Sequence, residues 1–397
     1  MNVRAILLAQ IQTLLRQLES AQESLKDEQI GEGLRKAAEY RFTNLINEAR
    51  TRLESDKRYV NDVPDDYDLS EYWRRLTNEK EKCADLFKEC LNFLGGALLR
   101  NIDRIDQLCQ IADRLLLELS KRAGIEWNRF TILAEGNFFT SATGIIRLPF
   151  PDYSIWNLPV AVHELGHYVG PRIDKPDGSF PFEDKLQEIK VAYTNRAEAE
   201  REKSFWQEEF SDVFATYALG PAYICSCLAA AFSPADISAC EDGDSHPSYA
   251  KRAYLMLEML KGMSDANQNQ YDNIVVYLTD LWERTLIAGG KARCLDTATL
   301  SQLDSRLLEL YSIVVLASSV EYKAWTRASE LAAGLRAKIS VAQLVRPTDR
   351  IADVLNAVWL WRISEPKVTL SQLESVDAKA ITMCRNIILG DALNSPR

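Results

Sequence analysis

Apolar residues recur at helical spacing over most of the chain. Leu7, Ile11, Leu14, Leu15 and Leu18 mark one helical face near the amino terminus. Leu34, Ala37, Ala38, Phe42, Leu45, Ile46 and Ala49 mark a second, with charges between them, and Gly31 and Gly33 predict a break before it. Residues 61–68 read as a turn, and Asp68 or Ser70 is placed to cap the next helix. Helices are then expected over about 70–94 and 98–122, separated by Gly95-Gly96. After Gly124 the period changes. Residues 130–134 alternate and are rich in β-formers, and 137–142 and 144–149 come after them with turn residues between, which predicts two or three short antiparallel strands ended by Pro149, Pro151 and Asp152. The helical period returns near 157, with Pro159 in a first turn. A polar loop is expected at 171–182, then a long helix from about 182 or 195 to 218, stopped by Gly220-Pro221. An apolar helix is expected near 221–232, a loop at 233–246 and a helix from Ser248 to about Gly262. Further helical patterns cover about 269–288, 298–317, 320–339, 347–362 and 370–388, with Trp282, Trp325, Trp359 and Trp361 as core anchors. The expected fold class is mainly α (α+β). An N-terminal helical region covers 1–123, a core with a small antiparallel sheet covers 124–265, and a C-terminal helical region covers 266–397.

Composition narrows the class of partner. An apolar share of 47% is ample for a packed core. A net charge of -10 argues against nucleic acid, whose phosphates need a basic face. No apolar run reaches the roughly 18 residues of a membrane span, and the amino-terminal stretch lacks a cleavable signal pattern. The eight cysteines are scattered, mostly inside apolar helical patterns, so reduced core thiols in a cytoplasmic protein are expected. Cys225-Ser-Cys227 has the wrong spacing for a metal or redox pair.

The chemistry concentrates in one stretch, His163-Glu-Leu-Gly-His167. It holds two of only three histidines in the chain. On a helix, residues four apart share a face, so both imidazoles can hold one metal ion. Glu164 lies about 100° round from His163, where it can reach a water without binding the metal. Gly166 costs about 1 kcal/mol in a helix interior, a loss that makes sense if another element must come close. A catalytic zinc usually takes a third protein ligand. Downstream, Glu208 and Asp212 stand four apart on a second helical pattern, and His246 precedes a helix-opening Pro247.

These segments resemble zinc metallopeptidases. The H-E-x-x-H stretch through Gly170 is similar to the metzincin motif, but that motif needs a histidine where this chain has Ile173; Asp174, one residue later, is a donor open only to a shifted loop. Glu208-Glu-Phe-Ser-Asp212 resembles the E-x-x-S-D helix of the gluzincins, the thermolysin-like peptidases. His246-Pro-Ser-Tyr-Ala-Lys-Arg252 resembles the H-P-x-x-x-x-R segment of soluble relatives of the CAAX prenyl protease group. The resemblance covers 160–252 and implies a zincin-like catalytic core. It implies zinc held by His163, His167 and Glu208, with Asp212 orienting His163 and Glu164 as general base. It further implies that His246 donates to the oxyanion and that Arg252 supports that loop or the charge balance of the site. Glu209 is an alternative ligand with no aspartate four residues on, and Tyr168, Tyr249 and Tyr254 are weaker oxyanion candidates.

The function this implies is selective endopeptidase action on a protein or peptide. An edge strand of the small sheet would align the substrate, and the outer helices would gate the cleft or bind a regulatory protein. An aminopeptidase would need acidic residues for a free amine, and no G-A-M-E-N-like segment is present. The alternative from another class is a helical interaction protein with a structural or inactive zinc site.

Overall fold

The computed structural model describes residues 3–26, 32–64, 67–100, 102–127, 130–134, 139–140, 145–149, 154–291, 294–365 and 367–394. The protein is mainly helical and forms two compact units. The first comprises residues 1–106, 132–136 and 140–150; the second comprises 107–131, 137–139 and 151–397.

Three long helices build the first unit: α1 (Val3–Ser24), α2 (Glu32–Asp62) and α3 (Ser70–Leu99). Their apolar stripes meet in one core that includes Leu7, Ile11, Leu14, Leu18, Phe42, Ile46, Leu76 and Phe93. The first break falls as expected, since α2 begins at Glu32, although Gly31 itself lies outside the described residues. Asp68 accepts from the Ser70 amide at 2.9 Å within the turn, but the N-cap position of α3 falls on Leu69, which makes no side-chain capping bond, rather than on the expected Asp68 or Ser70.

Gly95-Gly96 does not separate two helices. α3 runs through both, and α4 (Asp103–Arg122) starts only after it ends. A Cβ on Gly96 would come within 2.5 Å of the Leu133 carbonyl oxygen. The glycine therefore gives room to a strand, and the contact outweighs the helix-breaking tendency.

The strands are β1 (Thr131–Ala134), β2 (Phe139–Thr140) and β3 (Ile145–Pro149), in the order β1-β3-β2. The sheet includes a parallel pairing, which corrects the antiparallel arrangement expected from short turn-linked strands. The last strand enters the middle of the sheet instead of adding to its edge. Of the strand expected over 137–142, only Phe139 and Thr140 are described; its other residues, with Gly144, Pro151 and Asp152, lie outside the described residues.

The second unit is organised on two helices, α5 (Val160–Val169) and α7 (Arg196–Leu219), packed face to face. α6 (Pro181–Ala192) precedes α7, so of the two starts expected for the long helix, about 182 or 195, the second holds. Asn195 caps the second by accepting from the Ala197 amide at 2.9 Å. α8 (Pro221–Ser226) and α9 (Tyr249–Ala266) also pack on α7. Beyond them come α10 (Asp272–Ala288), α11 (Thr297–Val314), α12 (Trp325–Arg336), α13 (Val341–Leu344), α14 (Ile351–Ser364) and α15 (Leu370–Asn394). α14 is buried almost all round, with Trp359 and Trp361 inside as expected. Asn356 on α14 fixes the α7–α8 corner: its amide nitrogen donates to Leu219 O at 2.7 Å and its oxygen accepts from Ala222 N at 2.9 Å.

Gly166 sits on α5 where a Cβ would lie 2.8 Å from the Ser211 Cα of α7, so the missing side chain lets the two backbones touch. Cys240 and Cys294, with Cα atoms 4.9 Å apart, form a disulfide, which corrects the expectation that every thiol is reduced. The other six cysteines are buried and outside this bridge. Among the described residues no helix is long and apolar enough to cross a membrane.

An exposed helical glycine gains about 1 kcal/mol on replacement by alanine. Gly166→Ala should instead lose about 1–3 kcal/mol in chemical denaturation, because the obstruction is backbone and cannot rotate away. Alkylation followed by intact-mass measurement checks the bridge. The denatured chain should take up six labels without reductant and eight after reduction.

Candidate metal centre

α5 presents His163 and His167 on one face, one turn apart, with ring centroids 4.9 Å from each other. α7 brings Glu208 against both. His163 Nε2 lies 3.2 Å from Glu208 Oε2, and His167 Nε2 lies 3.3 Å from Glu208 Oε1. One donor atom from each residue falls within 4.8 Å of the others. Among the described residues this is the one group of His, Cys, Asp and Glu side chains so placed.

Glu208 Oε2 is buried and makes no hydrogen bond, although an imidazole nitrogen is close. A buried acceptor left so is costly. Lone pairs turned toward a shared centre explain it, and two imidazoles with one carboxylate are a donor set suited to a divalent transition metal. The group could hold such an ion.

Behind these donors lies Asp212, one turn on from Glu208 and wholly buried. Its Oδ1 stands 2.8 Å from His163 Nδ1. With Nδ1–H donating there, a ring that gives up its other proton in favour of a bound cation would turn its Nε2 lone pair toward Glu208. Arg252 on α9 closes a two-pronged pair on the same carboxylate, Nε to Oδ2 at 2.7 Å and Nη2 to Oδ1 at 2.8 Å. Tyr223 on α8 donates its hydroxyl to Oδ1 at 2.5 Å and lies 3.0 Å from His163 Nδ1.

The charges are strongly coupled. Burial disfavours an ionised Asp212, but Arg252 and His163 outweigh it and hold the carboxyl far below its ordinary range. Burial likewise opposes charge on Glu208, yet His163 and His167 hold it far below. For His163, burial works against protonation, and the Asp212 and Glu208 carboxylates still push it up to about 10. A cation of some kind is therefore favoured between these carboxylates.

The remaining candidates take up distinct positions. Glu164 is buried beside His163 on α5. His246 stands at the rim, its Nε2 3.5 Å from Glu208 Oε1 and its side chain half exposed. Ile173 is buried, and Asp174 is exposed and outside the donor group. Glu209 faces away, toward Arg306 on α11 at 3.6 Å. The tyrosines read as oxyanion candidates point elsewhere. Tyr168 donates to Glu126 O at 3.0 Å, Tyr254 to Asp304 at 2.6 Å, and Tyr249 stacks on Phe232. Cys225 and Cys227 are buried thiols pushed up to about 12, chiefly by burial, and are unsuited to metal or redox work.

Tyr223 was not legible. It sits in an apolar segment where a tyrosine reads as core, and only the α7–α8 corner turns it toward Asp212. Comparison of the chain with protein families, with curated proteins and with solved structures found no match.

If Asp212 orients His163, Asp212→Asn should weaken metal binding by about 10–100-fold. Tyr223→Phe, which keeps the ring and the Arg252 clamp, should weaken it less. Competition against a chromogenic chelator measures both, and an Asp212→Asn affinity equal to wild type would remove Asp212 from that role.

Proposed function

We propose that the chain is a zinc-dependent peptidase of the gluzincin type, acting on peptide bonds within a protein or peptide substrate. The observation that carries this reading is the three-donor group of His163, His167 and Glu208 with Glu164 buried next to it. The resemblance of 160–252 to gluzincin sequences supplies the choice of zinc and of a zincin-like core.

Bound there, zinc supplies a Lewis acid and an acidified water. Glu164, adjacent to His163 but outside the donor group, takes a proton from the attacking water and passes it to the departing amine. His246 reaches the same region. With Ser245 Oγ donating to its Nδ1 at 2.8 Å, the ring carries its proton on Nε2 and can donate to the oxygen on which charge develops. Arg252 and Tyr223 hold Asp212, and through it His163, in position. A helical interaction protein with a structural site would call for a fourth protein donor, and the described residues offer three.

Glu164→Gln should bind zinc with wild-type stoichiometry and lose on the order of 10²–10⁴-fold in hydrolysis. Metal analysis beside mass-spectrometric cleavage of a peptide library reads both. Wild-type protein without stoichiometric zinc, or a Gln variant that cleaves as well as wild type, would sink the proposal.

A further inference from the structure

Consecutive residues on α7 lie about 100° apart around the helix. Glu208 faces the metal-ligand group, and Glu209 faces a separate cavity of about 310 Å³. Charged groups of both signs line it, among them Arg201, Glu202, Glu209, Asp242, Lys251 and Arg306. Several are already matched: Lys251 pairs with Asp242 at 2.7 Å and Arg306 with Glu202.

One pair is left incomplete. Glu209 is 4% exposed, and its Oε2 is buried without a hydrogen bond. Arg306 Nη1 is also buried without one. The two stand 3.6 Å apart, close enough to attract but outside hydrogen-bond reach. A buried acceptor and a buried donor side by side, each unfilled, form a recognition element of defined polarity.

We propose that this cavity is a binding site for a small zwitterion of the α-amino acid class, with the ammonium on Glu209 and the carboxylate on Arg306. A single α-carbon joins the two charged groups of such a ligand, which suits a donor and an acceptor this close together. A lone anion would leave Glu209 unfilled, and a lone cation would leave Arg306 unfilled. The remaining charges of both signs in the lining suit a ligand carrying both. This site does not depend on the peptidase reading: it lies on another face of α7 and uses none of the residues assigned to hydrolysis.

The test is calorimetric titration of the full-length protein with glycine, alanine and glutamate, compared with methylamine and acetate. Amino acids also chelate zinc, so each titration is run on metal-loaded and metal-free protein and on Glu209→Gln and Arg306→Met. The expected result is amino-acid binding at least about tenfold tighter than either half-ligand. It should occur with or without metal and be lost in both variants while their circular dichroism and metal content are unchanged. If a variant fails to fold, the wild-type ligand series decides. Acetate or methylamine binding as tightly as the amino acids, binding that survives both variants, or no binding at tens of millimolar would each overturn the proposal.

Discussion

One buried carboxylate holds the metal-ligand group together. Asp212 has no exposure to solvent, so its charge is tolerable only if compensated inside the protein. Arg252 supplies the compensation through two hydrogen bonds, Tyr223 adds a third, and His163 completes the set. These residues come from α5, α7, α8 and α9, four separate elements of the chain. The pairing of a buried aspartate with a buried arginine therefore fixes the relative placement of the helices and the tautomer of His163 together. Loss of one partner would leave an unpaired buried charge, which is why such a hub is fragile to substitution although the pair itself adds little net stability.

The hub works only because α5 and α7 lie close. Gly166 lets their backbones touch at Ser211, and that separation brings Glu208 within 3.3 Å of both imidazoles. Asn356 acts at longer range. By satisfying the groups exposed at the α7–α8 corner, it holds Tyr223 at the angle from which its hydroxyl meets Asp212. The distant helix α14 thus has a definite part in the site.

Much of the group was legible because its geometry is local. His163 and His167, and again Glu208 and Asp212, are spaced by one helical turn, so the sequence alone places each pair on a face. That the two faces meet was an inference from resemblance, and the helix packing brings the donors together. The features that stayed illegible depend on distant packing. Tyr223 has no local signature. Cys240 and Cys294 are 54 residues apart, and nothing near either announces its partner. Gly95-Gly96 misled for a related reason: glycine reads as a helix breaker, but Gly96 answers the approach of a strand that comes much later in the chain. The sheet order was illegible for the same reason, since turn residues predict hairpins and say nothing of which strand ends up in the middle. The separate faces of Glu208 and Glu209 were only half visible. Spacing favoured Glu208 as the ligand, but the cavity across from it is made by α9, α11 and the loop before α9.

Exposure across the histidines gives the group a direction. The side chain of His163 is 6% exposed, that of His167 20% and that of His246 54%. The deepest ring is the one clamped by Asp212, and the outermost is the one on a loop. The group is therefore most open at His246 and His167 and most closed at His163. Under the proposed hydrolase reading, this ordering fits a site that takes in a substrate. A structural ion is best closed on all sides, whereas a reactive one needs a rigid back wall and an accessible front. The Cys240–Cys294 bridge bears on that front, because it ties the loop that carries His246 to the segment before α11. The least buried of the three histidines is thus carried on a loop with a covalent tether, and its reach toward Glu208 is restrained at one end even where its side chain faces solvent.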